Sequence, residues 1–352
     1  MAKKAHGTTI IDIAKAAGVS TATVSRVLND VDYPVRPELR KRVLETAQAY
    51  NYSPNIFGRM LRNGKSTDIG VIIPSFSNPF YSELVSSIEA ECYHRGYNPI
   101  FCSSHNDLQR ELKLIEQLLQ RRVAGIIIRT ISQDGSFLLN VQRQTNVIAL
   151  GQFAAETACN SISFDFFGAG ALAAEYLLHQ GHRDIAFLTL PLQRKSHQAV
   201  HDGIVSTMQE HGLTLHPDRI FVREVEQEYG NYQDEFETGR LLARQYLDAG
   251  CPATAIISID DMIAFGIISE LSSKGISVPD DCSVIGLDNI STSCMINPPL
   301  TTIAQHAVEA GRLATKVLVD GIEQETGVYS SLVIKPSLVE RESVKKRVVS
   351  TR

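Results

Sequence analysis

The 352-residue sequence predicts a small all-α head followed by an α/β body of two doubly wound lobes, each built on a parallel sheet. Three observations predict this organisation. The length exceeds what one hydrophobic core usually holds. The basic residues are concentrated in the first 66 positions. From Ile69 onward, short apolar runs alternate with helical segments in two successive series, which favours two similar lobes over one continuous sheet.

The charge distribution separates the head from the body. The whole chain carries a formal net charge of -5. Residues 1–66 contain 11 Lys and Arg against 5 Asp and Glu, so the head stands at +6 and the remainder at -11. A basic head on an acidic body predicts that the head alone meets a polyanion.

Composition argues against a secreted, membrane or metal-binding protein. No run of about 18 apolar residues is present, and the N-terminus lacks a leader pattern. The six cysteines show no CxxC or Cys/His ligand spacing and are expected to be reduced packing residues. They are Cys92, Cys102, Cys159, Cys251, Cys282 and Cys294. We therefore expect a cytoplasmic protein with no metal and no cofactor.

The segment TTIIDIAKAAGVSTATVSRVLND, residues 8–30, predicts two short helices. Thr9 and Asp12 have capping-box spacing, and Gly18 is expected to end the first helix. Ser20 or Thr21 can cap the second. Its inward residues are Val24, Val27 and Leu28, and its outward residues are Thr21, Ala22, Ser25, Arg26 and Asn29. Two helices joined by a short turn with Gly are typical of the DNA-reading helix-turn-helix.

A third helix is expected from about Pro37 to Tyr50, and it should cover the first two. The covering residues are Leu39, Val43, Leu44 and Ala47. An ordinary three-helix bundle is the alternative interpretation. The outward face of the second helix, which is small, polar and tipped with Arg26, favours DNA reading, because small residues let a helix enter the major groove closely.

In the body, short apolar runs predict two series of buried parallel strands. The first series lies at 69–74, 98–103, 125–130 and 146–151, and the second at 161–164, 184–190, 219–222, 254–258 and 282–287. Ligands of such sheets bind beyond the carboxyl ends of the strands, so two facing lobes should create a cleft. The loops expected to line it are 75–81, 164–168, 190–196, 258–262 and 286–291.

No segment predicts catalysis. GAGALA, residues 168–173, matches a dinucleotide-binding turn, but the next strand ends LTLPLQ without the acidic residue that ribose recognition needs. The pair Asp260 and Asp261 has no accompanying nucleophile or metal cluster, and helix N-capping accounts for it. His182 is expected to be a turn residue. We expect no enzyme and no catalytic residue.

Several stretches together carry a resemblance to a known family. The head contains TIIDIAKAAGVSTATVSRVLND and VRPELRKRVLETAQAYNYSPNIFGRMLR, and the body contains NPFYSELVSSIEAECYHRGY, LLHQGHRDIAFL, DDMIAFGIISELSSKGISVPDDCSVIGLDNI and PPLTTIAQ. These stretches closely resemble the lactose/galactose-repressor (LacI/GalR) family of bacterial transcription regulators. The resemblance covers nearly the whole chain.

This resemblance implies a domain organisation. Residues 1–53 would be the helix-turn-helix domain, 54–66 the hinge helix and linker, and 67–352 an effector-binding and dimerisation domain like a type I periplasmic binding protein. The N-lobe would comprise about 67–164 plus 304–322, and the C-lobe about 165–303 plus 323–343.

For the head, the resemblance implies that Thr21, Ala22 and Arg26 read bases. Residues 55–62 would form a hinge helix that folds only when two chains lie side by side on DNA, with Leu61 as an apolar wedge in the minor groove. The expected DNA-binding residues are Thr9, Ser20, Thr21, Ala22, Thr23, Ser25, Arg26, Asn29, Tyr52, Asn55, Gly58, Leu61 and Arg62.

For the cleft, the resemblance implies a sugar or sugar derivative as effector. Asp165 and Asp288 match cleft carboxylates, which accept hydrogen bonds from hydroxyl or amine groups. Val200 stands where an Arg commonly clamps the effector, and Arg194 could substitute. The expected ligand-binding residues are Asn78, Phe80, Asp165, Arg194, Ser196, Tyr232, Phe236, Asp260 and Asp288. Three carboxylates with Arg194 as the only cation predict a neutral or cationic ligand rather than an anionic one.

The function that follows is a homodimeric repressor that binds a pseudo-palindromic DNA operator in the bacterial cytoplasm, on the nucleoid, under control of the effector. The tail SVKKRVVSTR after Glu342 has no apolar heptad, which favours a dimer over a tetramer. The alternative is a solute-binding receptor without DNA function, which would not need the head.

The hinge segment yields a first prediction. Relatives usually carry Ala where this chain has Gly58, and Gly costs roughly 1 kcal/mol of helix propensity. Gly58→Ala should therefore tighten operator binding about fivefold by pre-forming the helix, and it should reduce the response to effector. Fluorescence anisotropy with operator DNA measures both. An unchanged affinity, with amide exchange showing a helix in the free protein, would contradict the prediction.

Overall fold

The computed structural model describes residues 8–28, 33–52, 66–132, 134–151, 159–223, 235–250, 253–324 and 331–347. The chain divides into two compact units, Met1–Ser66 and Thr67–Arg352. They correspond to a head and a body.

The described part of the head forms three helices, α1 (Ile10–Ala17), α2 (Thr21–Leu28) and α3 (Pro37–Ala49). At the start of α1, the Asp12 carboxylate accepts from the backbone N–H of Thr9 at 2.9 Å, and the Thr9 hydroxyl oxygen accepts from the N–H of Asp12 at 3.4 Å. Gly18 ends the helix with a left-handed φ of 62°, which suits a residue without a side chain. The predicted capping box and glycine stop are confirmed.

Small apolar side chains hold the three helices together. The buried residues of this core are Ile13, Ala14, Ala17, Val24, Val27, Val43 and Ala47. The prediction for Leu44 is wrong, since this side chain is 46% exposed. The stripe that α3 buries runs through Val43 and Ala47, one turn apart, and Leu44 lies to its side. Arg36 precedes α3 and makes no side-chain cap hydrogen bond.

The body alternates strands and helices. The strands are β1 (Asp68–Ile73), β2 (Asn98–Ser103), β3 (Gly125–Ile128), β4 (Asn146–Leu150), β5 (Asn160–Phe164), β6 (Ile185–Thr189), β7 (Ile220–Val222), β8 (Ala255–Ser258), β9 (Ser283–Asp288), β10 (Thr301–Ala304), β11 (Ser331–Ile334) and β12 (Ser337–Val339). The helices are α4 (Pro79–Arg95), α5 (Leu108–Gln120), α6 (Phe137–Gln142), α7 (Phe166–His179), α8 (Lys195–Glu210), α9 (Glu235–Asp248), α10 (Asp261–Ser273) and α11 (Ala307–Gln324). Short 3₁₀ turns lie at Pro217–Arg219 and Ser291–Cys294.

The strands form two six-stranded sheets, in the orders β11-β5-β4-β3-β1-β2 and β12-β10-β9-β8-β6-β7. Neighbouring strands are parallel except β10 and β12, which pair antiparallel. The predicted architecture of two doubly wound parallel lobes is confirmed. One boundary is wrong: β11 pairs with β5 of the first sheet, so residues 331–334 belong with the N-lobe rather than with the predicted C-lobe segment 323–343.

The chain passes three times between the two lobes. The passages lie at Asp165 between β5 and α7, at 305–306 between β10 and α11, and at 335–336 between β11 and β12. The backbone N–H of Asp165 donates to the carbonyl of Ile334 at 3.1 Å. The Ser337 hydroxyl lies 3.0 Å from a ring nitrogen of His306. The first passage is therefore bonded to β11, the strand before the third passage. The second passage is bonded to β12, the strand after the third passage.

Glycines let two helices of the second lobe pack backbone to backbone. A Cβ on Gly170 of α7 would lie 2.0 Å from the carbonyl oxygen of Val200, and one on Gly203 of α8 would lie 2.1 Å from that of Phe167. Gly170 belongs to the GAGALA segment and serves this helix packing, whereas a Cβ on Gly168 of the same segment would meet the Asp165 carboxylate. These two contacts account for the glycines of the segment without a bound dinucleotide.

His182 and the cysteines can be compared with their predicted roles. His182 lies in the turn that ends α7, as predicted, and its side chain is buried: its ring nitrogens lie 2.9 Å from the Thr254 hydroxyl and 3.0 Å from the carbonyl of Lys345, and burial lowers its pKa. Among the cysteines, Cys92, Cys159 and Cys282 are buried as packing residues, whereas Cys294 is exposed. Within the described ranges, no helix is both long and apolar enough to span a membrane.

The glycine contact predicts a stability difference between two alanine substitutions. Gly170→Ala should destabilise the body by about 1–3 kcal/mol, because the new methyl group overlaps backbone that cannot move alone. Gly321→Ala, in α11, is the matched control, since its Cβ would meet only Asn146 at 3.7 Å. Alanine there should be neutral or stabilising by about 0.5–1 kcal/mol. Urea unfolding measures both, and equal stability of the two variants would contradict the packing argument.

Candidate functional site

The outer face of α2 is small and polar. Thr21 and Ala22 are exposed, while Ser25 and Arg26 are half-buried. At the start of the helix, the Ser20 hydroxyl oxygen accepts from the backbone N–H of Thr23 at 3.1 Å. This cap leaves the first turn of α2 ordered and accessible.

An aromatic ring orients the arginine of this face. The Arg26 guanidinium lies 4.0 Å from the centroid of Tyr33, a residue that is 51% exposed. Such a stack contributes about 0.5–1 kcal/mol at an exposed site. Sequence reasoning missed Tyr33, although an aromatic residue just beyond the second helix was visible.

Other predicted head residues have mixed positions. Thr9 is exposed, and its hydroxyl donates to Asp12 at 2.6 Å, while Tyr52 packs partly against the core of the head. Asn29, Asn55, Gly58, Leu61 and Arg62 lie outside the described residues.

In the body, the strand ends of the two lobes meet at one crevice. Its lining residues come from both lobes: Pro74, Tyr81, Arg129, Thr130, Ile131, Ser132, Arg194, Lys195 and Ser196. Pro74 follows β1, Arg129 follows β3, and Arg194 lies on the loop after β6. The crevice therefore occupies the position predicted for the cleft.

Two direct hydrogen bonds join the lobes beside this crevice. The Asn78 side chain donates to the Glu235 carboxylate at 2.8 Å, and the backbone N–H of Ser291 donates to the Glu83 carboxylate at 2.8 Å. Asn78 also caps α4 by accepting from the N–H of Phe80. Phe80 is buried, with its ring centroid 5.7 Å from that of Phe164. Both predicted ligand residues thus hold protein contacts in this conformation.

Three further predicted residues have different environments. Asp165 caps α7 by accepting from the N–H of Gly168 at 2.8 Å. Phe236 is partly buried against the main core. Tyr232 lies outside the described residues.

The acidic end of the cleft contains Asp260, Asp288 and Glu235. Asp260 caps α10 by accepting from Ile263 at 2.7 Å, and Asp288 accepts from the Gln305 amide at 2.9 Å. Burial raises the pKa of both aspartates well above the usual range, and repulsion from neighbouring carboxylates raises it further. The sequence did not indicate Glu235 as a cleft residue, because its place in the cleft depends on a hydrogen bond to Asn78 of the other lobe.

The basic end contains two arginines rather than one. Arg129 lines the same crevice as Arg194. Desolvation lowers the pKa of Arg194, and the positive charge of Arg129 lowers it as well. Tyr81 and Glu235 act in the opposite direction and raise this pKa. The prediction that Arg194 is the only cation is therefore wrong. Arg129 stands at the carboxyl end of a predicted strand, a signal that was present in the sequence. Tyr81 lies between the two ends, where both arginines and the carboxylates of Glu235 and Asp288 act on its hydroxyl.

Asp261 has a structural role other than the helix N-capping that was predicted for the pair Asp260 and Asp261. Its carboxylate is buried and accepts from the N–H of Ile290 at 3.0 Å, the hydroxyl of Ser293 at 2.6 Å and the hydroxyl of Thr302 at 2.5 Å. Burial raises the pKa of Asp261 to about 6, while these three donors lower it. N-capping is correct for Asp260 and wrong for Asp261, which instead anchors the loop after Asp288.

Comparisons with known families match both units. The family described as bacterial regulatory proteins, lacI family, matches residues 9–55, and the one described as periplasmic binding protein-like domain matches residues 174–344. The HTH-type transcriptional repressor PurR of Pasteurella multocida is 33% identical over 343 residues, which cover 97% of this chain and 99% of that protein.

Solved structures share the fold over most of the chain. The Lac repressor dimer bound to operator and the anti-inducer ONPF is similar with a TM-score of 0.84 and 26% identity, covering 97% of this chain and 100% of that one. A LacI family transcriptional regulator from Enterococcus faecium with bound ribose has a TM-score of 0.69 and 27% identity, covering 80% of this chain and 100% of that one.

The Asp261 anchor predicts a stability effect. Asp261→Asn should destabilise the body by about 1–3 kcal/mol, because an amide offers one acceptor oxygen to three donors. Asp280→Asn is the control, since this exposed carboxylate pairs only with an exposed Lys345 among the described residues and should change stability by less than about 0.5 kcal/mol. Thermal unfolding at neutral pH compares the two.

The pH dependence has a defined sign. The folded pKa of Asp261, about 6, lies above its unfolded value, so the folded state binds the proton more tightly. Wild type should therefore gain stability relative to Asp261→Asn as pH falls from about 6 to about 4. A difference that does not vary across this window would contradict the burial argument.

Proposed function

The chain belongs to the LacI family of bacterial regulatory proteins, and from this premise we propose that it is a transcriptional repressor whose operator affinity is set by a small molecule bound between its two lobes. The observation that carries the proposal is the outer face of α2, where small exposed residues surround an arginine held over Tyr33.

The α2 face suits direct reading of base edges. Thr21 and Ala22 leave room for close approach to the major groove, and the guanidinium fork of Arg26 matches the two acceptors of guanine. Ser20, Thr23 and Ser25 supply hydroxyls at the start of the helix, where phosphate contacts set the register on the duplex. Thr9, Asn29, Tyr52 and the hinge residues 55–62 complete the proposed DNA surface.

We assign a homodimer as the active form. The similar Lac repressor is a dimer bound to operator. Two copies of one head related by a twofold axis read inverted half-sites, so the operator of this chain should be a pseudo-palindrome.

The effector is proposed to be a sugar derivative. The carboxylates of Asp165, Asp260 and Asp288 offer acceptors for hydroxyl groups at one end of the cleft. Ser196 and Phe236 contribute further contacts, and Asn78, Phe80 and Tyr232 complete the proposed site. The Enterococcus faecium regulator, of the same fold, carries ribose.

Coupling to DNA would operate through the contacts between the lobes. A ligand that enters the crevice competes with or reinforces the Asn78–Glu235 bond and the Ser291–Glu83 bond. Differential binding to two arrangements of the lobes supplies the coupling free energy between the cleft and the head.

A gel shift with the purified full-length chain tests the function. DNA from the chain's own promoter region should be retained in the presence of excess random competitor. A solute-binding receptor, the alternative function, would retain none of it.

The role of Arg26 gives a separate prediction. Arg26→Ala should weaken specific operator binding by about 1–3 kcal/mol, the discrimination that one bidentate base contact supplies, and should weaken random-DNA binding far less. Lys41→Ala, on the exposed side of α3 beside Glu45, removes the same charge and should weaken both kinds of binding equally. Anisotropy titrations measure all four affinities. Equal losses in Arg26→Ala would make Arg26 a phosphate anchor instead.

A further inference from the structure

The basic end of the cleft brings three cations together, and no ion pair joins any of them to another described residue. Arg129, Arg194 and Lys195 line one crevice together with the hydroxyl-bearing Ser132 and Ser196. Arg129 is half-buried, while Arg194 and Lys195 are exposed at the mouth of the crevice. Three cations this close to one another repel, and an anion bound between them would relieve that repulsion.

The carboxylates nearby are engaged elsewhere. Glu235 acts on Arg194 through its charge, but its carboxylate accepts from the Asn78 amide at 2.8 Å. Asp134 acts on Lys195, but its two oxygens accept from the N–H and the hydroxyl of Ser136, both at 2.9 Å. Neither carboxylate neutralises the crevice directly.

The positive potential extends to a neighbouring histidine. Burial lowers the pKa of His197 to about 4, and the charges of Arg194 and Arg129 contribute to the lowering. His197 is therefore neutral near pH 7, with its Nδ1 3.0 Å from the carbonyl of Pro191. The electrostatic potential in the crevice therefore disfavours another positive charge, and the same potential favours a bound anion.

The helix that begins here adds uncompensated backbone donors. α8 has sixteen residues and begins after its N-cap residue, Arg194. The Arg194 side chain makes no capping hydrogen bond to the first turn of the helix. The N–H groups of its first turn, at Lys195 and Ser196, have no intrahelical acceptor and carry the positive end of the helix dipole. Helix starts of this kind bind phosphate and carboxylate groups when charged side chains converge on them.

We propose that this basic end binds a phosphate group of the effector, so that the ligand of the cleft is a phosphate monoester. The inference rests on the proposed function and deepens it, and it replaces the expectation of a neutral or cationic ligand. Three cations match a phosphate, whose charge is about -1.5 to -2 at pH 7, better than a carboxylate of charge -1. Two guanidinium forks and the Ser196 hydroxyl also suit its three terminal oxygens, whereas the Ser132 hydroxyl already donates to the carbonyl of Asp134 at 2.7 Å.

The opposite end of the cleft then determines the orientation of the ligand. The carboxylates of Asp260, Asp288 and Glu235 repel a phosphate and accept from hydroxyl groups. The phosphate lies toward Arg129 and Arg194, and the hydroxyl-bearing part lies toward Asp288, with Tyr81 between them. This division of charge discriminates against both an unphosphorylated sugar and a compound with anions at both ends.

Inorganic phosphate is the first probe, used on the full-length chain. Thermal unfolding is followed in phosphate and in sodium chloride of equal ionic strength for wild type, Arg194→Gln, Arg129→Gln and the control Lys274→Gln. Lys274 is the C-cap residue of α10, and Asp260, at the cleft, is its N-cap residue. Because α10 has thirteen residues, Lys274 lies about 20 Å from the cleft. All four proteins share the basic head, so phosphate binding there cancels in the comparison.

The phosphate-specific rise in unfolding temperature should be about 2–4 °C in wild type and Lys274→Gln, and it should be lost in the two cleft variants. Arg194→Lys keeps the charge without the fork and should retain part of the rise, which separates loss of the site from a folding defect. The same rise in wild type and Arg194→Gln would overturn the proposal.

Calorimetry with matched compounds identifies the anion. Ribose 5-phosphate against ribose, and glucose 6-phosphate against glucose, should each show at least tenfold tighter binding of the phosphorylated member in wild type, and this preference should vanish in Arg194→Gln. Gluconate supplies the carboxylate comparison. Gluconate binding as tightly as glucose 6-phosphate, or no preference for phosphate within either pair, would overturn the assignment.

Operator retention separates this inference from the proposed function. DNA binding without any preference for phosphate would overturn the inference alone. Preference for phosphate, lost in Arg194→Gln, by a chain that retains no DNA would support the inference and overturn the proposed function.

Discussion

Every feature of the cleft depends on the three passages of the chain between the two lobes, at Asp165, at 305–306 and at 335–336. Within each lobe, nearly all paired strands are parallel, so their carboxyl ends must emerge on one edge. The passages hold the two edges against each other, and the bonds Asp165 to Ile334 and Ser337 to His306 tie the passages to one another. Loops that are distant in sequence therefore supply one site.

This arrangement concentrates opposite charges at opposite ends of one crevice. Arg129 and Arg194 come from different lobes, as do the partners of the Asn78–Glu235 bond. Asp288 ends β9 with a φ of 125°, and the buried Asp261 carboxylate holds the loop that follows it in place. A change in the spacing of the lobes consequently alters charge contacts and hydrogen bonds together, which gives a ligand a means of favouring one spacing over another.

The sequence predicted the parts of the structure that depend on local pattern. The capping box at Thr9, the stop at Gly18 and the two series of buried strands all follow from spacing within a few residues. Strands β10 to β12 were missed, and β11 is half-exposed, with Val333 60% accessible. Such segments show no apolar run to detect.

The site was predicted less completely because its contacts are long-range. Asp261 meets donors 29, 32 and 41 positions away, and His182 meets partners 72 and 163 positions away. Arg129 could be placed at a strand end, but its proximity to Arg194 depends on how the two lobes face each other. Local pattern therefore identified which loops form the cleft, and only the fold showed how their charges are divided.

Two copies of this chain should read DNA together through the outer faces of their α2 helices. This can be measured by selecting bound fragments from a randomised DNA pool with the purified full-length chain and sequencing them. We expect one enriched motif composed of two inverted half-sites, because the twofold symmetry of a dimer is mirrored in its operator. A pool that remains random after selection, or an enriched motif with a single half-site, would show that the chain does not read DNA as a dimer.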